Sequence, residues 1–214
     1  MPIFNEDTVK QLKDLLGDIP EEVNIAYFTS DHNCRTCRDT GQYIAEFSDL
    51  HQNISLEVFD FENDKEEVQK YRVERIPAIV ILDKDNTDRG VRFYGIPAGY
   101  EIHSLISSVK EAAGKKDEIT EEQQKRIDNI DKDIHIRVFV TPTCPYCPAA
   151  VINGHKLAFK NKNVTCDMVE STSFPDLSQK YGVRGVPKII INETNELTGS
   201  QPIEKFLDII EGIK

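Results

Sequence analysis

The 214-residue sequence has no run approaching 18 apolar residues, the length a bilayer core demands, which excludes a helical membrane span. It also has no basic head followed by a long apolar stretch. The chain opens Met-Pro-Ile-Phe-Asn-Glu-Asp, which is not a secretory signal, and a cytoplasmic location is the resulting expectation. Positive charge is in deficit. With 26 Lys and Arg against 37 Asp and Glu, the formal net charge is -11, a surface that nucleic-acid phosphates would repel. No segment is low-complexity, and a mean hydropathy of -0.44 suits an ordinary soluble globular chain.

Cysteine is scarce, with five in the chain, yet four of them fall into a repeated pattern. Cys34-Arg35-Thr36-Cys37 is followed by Ile76-Pro77, and Cys144-Pro145-Tyr146-Cys147 by Val186-Pro187. Pro77 lies 43 positions after Cys34, Pro187 lies the same 43 after Cys144, and the two sets are 110 apart. That register implies one unit built twice, within a length that allows two domains of about 100 residues. Paired cysteines in a cytosolic chain more often serve redox chemistry or metal than static cross-links.

The element order repeats as well. In the first half, Val9, Leu12, Leu15 and Leu16 mark an amphipathic helix over Glu6–Leu16, ahead of a strand at Val23–Thr29 and the first motif. A helix carrying Tyr43, Ile44, Phe47 and Leu50 follows, then a strand at Ile54–Phe61. Asn63 with Glu66 resembles a capping box opening a short helix to Tyr71. Ala78–Leu82 and Val91–Tyr94 read as strands and Tyr100–Ala113 as a helix. The second half runs from a helix capped by Thr120 and Gln123, through a strand at Ile134–Val140 and the second motif, to a helix with Ala150, Val151, Gly154, Leu157 and Ala158 on one face. A strand at Asn163–Val169, a helix at Phe174–Tyr181, a strand at Ile189–Ile191 and a closing helix at Ile203–Ile213 complete it. The fold class expected is α/β: two tandem thioredoxin-like domains, 1–117 and 118–214, with central mixed sheets flanked by helices. The charged stretch Gly114–Asp133 reads as the solvated joint between them.

Thiol–disulfide exchange needs a thiolate, and a free cysteine of pKa about 8.5 is mostly protonated at neutral pH. Cys34 and Cys144 stand at strand-to-helix junctions, where free backbone N–H groups favour the anion. Cys37 and Cys147, one turn later, are placed to resolve a mixed disulfide. The competing reading is structural zinc held by four thiolates. Against it, each pair lies between an apolar strand and an amphipathic helix and lacks Gly turns. A cis bond before Pro77 and Pro187 would expose the backbone of Ile76 and Val186 beside the sulfur, for pairing with an extended substrate. Proline at the first position of a strand is the plainer alternative.

Cys166, alternating with Val164 and Met168, reads as a buried core thiol rather than a third redox group. His32 has no counterpart in the second half and is a loop histidine, with thiolate stabilisation as the alternative. His51, His103, His135 and His155 show no ligand spacing. Asp60 and Glu170, at matching strand ends, suit helix entry or capping better than proton transfer.

On these residues the chain resembles the tandem-thioredoxin protein disulfide oxidoreductases, a glutaredoxin-like family best represented in thermophiles. The resemblance rests on CPYC-Pro at Cys144–Pro148, on Tyr-Gly-Val-Arg-Gly-Val-Pro-Lys at Tyr181–Lys188, and on the second Cys-x-x-Cys. It implies reduction, oxidation or isomerisation of protein disulfides, with Cys34, Cys37, Cys144 and Cys147 as the catalytic set. No bound cofactor is implied, beyond the redox-active disulfides themselves. Reducing equivalents would come from an NADPH-dependent, thioredoxin reductase-like flavoprotein, and the two domains would pack edge to edge into one extended sheet. Thioredoxins carry a buried acid six residues before the first Cys. Phe28 and Val138 occupy those places here, which leaves the proton acceptor unassigned. The Gly-Gly and Asp features that hold glutathione in glutaredoxins are missing near Thr198–Gln201, so protein substrates are favoured. Two other functions compete. One is a dedicated electron shuttle to a peroxiredoxin, although such shuttles typically keep one working Cys pair and continue into a flavin domain, features these 214 residues do not share. The other is a non-enzymatic zinc-binding or scaffold protein.

Overall fold

A computed structural model describes residues 2–115 and 119–213. The first unit runs α1 (Glu6–Leu16), β1 (Val23–Thr29), α2 (Cys37–Ser48), β2 (Ile54–Asp60), α3 (Lys65–Lys70), β3 (Ala78–Leu82), β4 (Asp88–Tyr94), a 3₁₀ turn (Gly99–Glu101) and α4 (Ile102–Ala112). The second runs α5 (Glu121–Asp128), β5 (Ile134–Val140), α6 (Cys147–Lys160), β6 (Val164–Glu170), α7 (Pro175–Lys180), β7 (Lys188–Ile191), β8 (Asn195–Thr198) and α8 (Ile203–Gly212). The domain boundary expected between residues 117 and 118 lies outside the described residues.

Local chemistry sets most of the boundaries. Asn5 caps α1 by accepting the Thr8 N–H at 2.8 Å. At α5 the expected capping box is present: Thr120 Oγ1 accepts the Gln123 N–H at 3.1 Å, and Gln123 Oε1 accepts the Thr120 N–H at 2.8 Å. The box expected at Asn63 and Glu66 is not formed. Instead α3 starts at Lys65, because Asp60 turns back to accept the Glu62 and Asn63 N–H groups and closes a tight turn first. β4 begins at Asp88, three residues earlier than expected, where Asp83 organises the preceding turn by accepting from Asp85 and Thr87.

The strands form one eight-stranded sheet in the order β2-β1-β3-β4-β6-β5-β7-β8. Each unit repeats one pattern, a parallel pair (β1 with β2, β5 with β6) followed by two antiparallel neighbours. The units join through β4 and β6, which pair in parallel from Val91 with Cys166 to Tyr94 with Val169. Both faces are covered, but unequally. The large core lies under α1, α2, α4, α5, α6 and α8, whereas the smaller one is closed by residues in and beside α3 and α7, among them Tyr71, Leu177 and Tyr181. β3, buried along its whole length as Ala-Ile-Val-Ile-Leu, contributes to both. Fully burying each such aliphatic side chain is worth about 1.5–3 kcal/mol.

Over the seam between the units, α6 lies against α4 and rests on β4 and β6. Gly154 permits this close approach. A Cβ there would stand 2.5 Å from the Sγ of Cys166, which is a fully buried free thiol. Gly154→Ala should therefore destabilise the protein by about 1–2 kcal/mol in urea unfolding, overcrowding outweighing the gain in helix propensity. In a Cys166→Ala background the same substitution should become neutral or stabilising. A destabilisation that persists there would contradict this packing.

Candidate active site: two dithiols at one end of a shared sheet

β1 and β5 each lead into a Cys-x-x-Cys turn, and both point the same way, since each is parallel to the joined strands β4 and β6. The two cysteine pairs consequently sit at the same end of the sheet. Four strand spacings of about 4.8 Å separate β1 from β5, roughly 19 Å in all. Four thiolates that far apart cannot close on one zinc ion, whose sulfur ligands stand at about 2.3 Å. Each pair is instead joined to itself: Cys34–Cys37 and Cys144–Cys147 are disulfides, each with Cα atoms 5.5 Å apart. Direct exchange between the two pairs would require their sulfurs to touch, so they operate as separate centres on one face.

The helices begin at the second cysteine of each motif, Cys37 for α2 and Cys147 for α6, which leaves Cys34 and Cys144 in the turn before the first helical residue. Both second cysteines are buried, at 2% and 0% exposure. The Ile76-Pro77 and Val186-Pro187 bonds are both cis. Cys144 Sγ lies 3.8 Å from the carbonyl oxygen of Val186, so the second dithiol and its proline-preceding residue are brought together.

The two surroundings differ. At the first motif, the Tyr27 hydroxyl donates to the Cys37 carbonyl at 2.5 Å, and the Thr40 hydroxyl is buried without a partner. Arg35 reaches over the seam to donate to the Thr172 carbonyl at 3.3 Å. Glu170 fixes that receiving loop by accepting the N–H and hydroxyl of both Thr172 and Ser173, and so acts as a turn cap. Asp60 has the corresponding capping role in the first unit. His32 is exposed in its loop.

A carboxyl that the sequence did not single out stands at the end of the turn packed against the helix of the second motif. Gly99, at φ +62°, has its Cα so close to Pro142 that a Cβ would collide with the Pro142 carbonyl. The Tyr100 N–H donates to that same carbonyl at 3.0 Å. These contacts bind the 3₁₀ turn of the first unit to the loop entering Cys144, and the turn packs against α6. Glu101, at its end, is 1% exposed, and its Oε1 has no hydrogen-bond partner among the described residues. Burial raises its pKa to about 7, with the Ser104 hydroxyl pulling the other way. The buried acids among the described residues are Glu101, Asp167 and Glu170, and none lies on β1 or α2, the elements flanking the first dithiol. Two exposed aromatics, one from each unit, belong to this region: Tyr146 lies within the motif, and Tyr100 is tied through its N–H to Pro142 ahead of it.

A family model described as a thioredoxin domain matches residues 134–211. The whole chain superposes on the alkylhydroperoxide reductase AhpF of Enterococcus faecalis, a Cys-to-Ala mutant, with a TM-score of 0.90, 26% identity, and coverage of 97% of this chain and 99% of that one. It superposes equally on a protein disulfide oxidoreductase from Aeropyrum pernix, at a TM-score of 0.89, 29% identity, and coverage of 97% and 92%. The chain is a tandem thioredoxin-fold protein with two Cys-x-x-Cys disulfides. Among curated proteins, the F subunit of the alkyl hydroperoxide reductase of Staphylococcus aureus is 24% identical over 205 residues, 96% of this chain but 37% of that protein. The tandem thioredoxin-fold chain thus spans little more than a third of the length of the curated relatives it matches. No helix among its described residues is long and apolar enough to cross a membrane.

Glu101 has a consequence for stability. Its native pKa, about 7, lies above the ordinary value of 4.5, so the folded protein holds a proton that the unfolded chain releases between those values. Its contribution is fully present below about pH 4.5, falls as pH rises toward 7, and is gone above. Wild type should therefore lose on the order of 3 kcal/mol more than Glu101→Gln between pH 4 and pH 8. Denaturant unfolding at both pH values checks this, and equal losses would mean the carboxyl is not held in a dry site.

Proposed function

We propose that this protein is a cytoplasmic thiol–disulfide oxidoreductase acting on protein disulfides, with Cys144–Cys147 as its principal centre. The observation that carries the reading is Cys144 Sγ set 3.8 Å from the Val186 carbonyl, with a 3₁₀ turn packed on α6 that ends in a buried carboxyl whose Oε1 has no partner among the described residues. Val186-Pro187, and Ile76-Pro77 at the other site, supply backbone against which an extended substrate segment pairs.

In the reducing direction the Cys144 thiolate attacks a substrate disulfide. The substrate S–S bond breaks, one substrate thiolate leaves, and a Cys144–substrate disulfide forms. Glu101, ionised, takes the proton of the Cys147 thiol. The Cys147 thiolate then attacks Cys144 Sγ, which closes the Cys144–Cys147 disulfide and expels the second substrate thiolate. Glu101 returns its proton to that leaving group. The substrate gains two electrons and the protein dithiol loses two, to be restored by an NADPH-dependent flavoprotein of the thioredoxin reductase type. A carboxyl with a pKa about 7 suits both halves of this cycle, because it accepts and donates near neutral pH.

Insulin reduction by the full chain tests the assignment. Cys144→Ser/Cys147→Ser should abolish most turnover, whereas Cys34→Ser/Cys37→Ser should keep it within about threefold. Glu101→Gln should lower the rate by about 10²-fold and remove a rise in rate centred near pH 7. Turnover carried by the Cys34–Cys37 half alone would overturn the ranking. Similarity to the alkyl hydroperoxide reductases favours one second reading, a shuttle that delivers electrons to a peroxiredoxin. Strong peroxiredoxin-dependent peroxide reduction with little insulin activity would select it.

A further inference from the structure

We propose that Ser104 is a positioning residue for the second dithiol: its hydroxyl holds Oε2 of Glu101 and so keeps Oε1 as the one oxygen that exchanges the proton. This rests on the reading of Glu101 as the proton acceptor for Cys147.

Ser104 is fully buried in the first turn of α4, three residues after Glu101. Its Oγ lies 2.5 Å from Glu101 Oε2 and 2.7 Å from the Glu101 carbonyl oxygen. A serine hydroxyl has one hydrogen and two acceptor sites, so it serves one of these oxygens at a time as donor. With Glu101 ionised, the hydroxyl donates to Oε2 in a charge-assisted bond. With Glu101 protonated on Oε1, Oε2 is still an acceptor, and the hydroxyl goes on donating to it or turns to the Glu101 carbonyl. Both protonation states of a dry carboxyl then keep a partner, at no cost in rearranged side chains. Oε1, buried and unpartnered, is the site left open.

A second hydroxyl supports the arrangement. Ser108 Oγ lies 2.9 Å from the Ser104 carbonyl and 2.9 Å from His155 Nδ1 of α6, which ties this turn of α4 to the helix that carries Cys147. Burial drives the His155 pKa down to about 3, so the imidazole is neutral and adds no charge. The other titratable groups in this core are Cys144 and Cys147 at the start of α6, Cys166 of β6, Tyr27 of β1, and Tyr43 of α2, whose hydroxyl donates to the Pro97 carbonyl at 2.8 Å. Lys160 and Glu111 pair with each other at 2.9 Å toward the far ends of the same two helices. β3 is wholly apolar on this side, and α1 contributes Leu12 and Leu16. Burial raises the pKa of the Glu101 carboxyl and the Ser104 hydroxyl lowers it.

The test is the pH profile of insulin reduction by the full chain carrying Ser104→Ala, alone and combined with Glu101→Gln. Loss of the hydroxyl removes what favours the ionised carboxyl, so the rising part of the profile should move up by about one pH unit. The rate should fall about fivefold at pH 7 and recover by pH 9. In the Glu101→Gln background, Ser104→Ala should change nothing further. A loss equal at every pH, or an additive loss in the double variant, would assign Ser104 a purely structural role and overturn the proposal. Should Ser104→Ala fail to fold, Ser104→Cys, a weaker donor of similar size, reads the same profile and should shift it in the same direction. If Glu101→Gln itself leaves the profile unmoved, the reading of Glu101 fails. If Glu101→Gln removes the rise and Ser104→Ala leaves it in place, only the role of Ser104 fails.

Discussion

The parallel pairing of β4 with β6 is the contact on which the rest of the molecule depends. It converts two four-stranded sheets into one, and because it is parallel it carries the direction of the first unit into the second. Both dithiols therefore emerge at the same end. The same pairing lays α6 against α4, and it brings the turn that leaves β4 up to the loop that enters Cys144. Each unit taken alone has a cysteine motif and a cis-proline, but the second becomes a site with its own carboxyl only through this seam.

The two centres are consequently unequal even though their strands and helices repeat. The second receives Glu101 from the turn that opens its neighbour's α4. The first follows β1, which β3 separates from the seam strand β4, and the Tyr27 hydroxyl donates to its Cys37 carbonyl. What reaches the first motif from the other unit is the carbonyl of Thr172, which takes the Arg35 guanidinium. In the proposed function, a duplicated fold has different proton chemistry at its two dithiols because its halves join side by side.

Much of this was legible in the sequence. Spacing alone paired the second Cys motif with Val186-Pro187, and alternation placed Cys166 in the core. Thr120 and Gln123 announced their helix because a capping box is a contact between near neighbours. The same local logic misplaced the start of α3, where Asp60 competes for the N–H groups that Asn63 was expected to organise. Glu101 was beyond reach for a different reason. Its significance depends on Pro142, some forty positions away in the other unit, and on a strand pairing that leaves no periodic trace. Six residues before each first Cys, on β1 and β5, stand Phe28 and Val138, whereas Glu101 comes from the turn that follows β4.

The central claim is that a carboxyl of the first unit exchanges protons beside the dithiol of the second. The most direct measurement is redox-difference infrared spectroscopy of the full chain with ¹³C-labelled glutamate, following the carboxyl band assigned by its loss in Glu101→Gln. One glutamate should titrate near pH 7, and its band should shift when Cys144–Cys147 is reduced but not when only Cys34–Cys37 is. A Glu101 band titrating near 4.5, or one indifferent to the state of Cys144–Cys147, would contradict the claim.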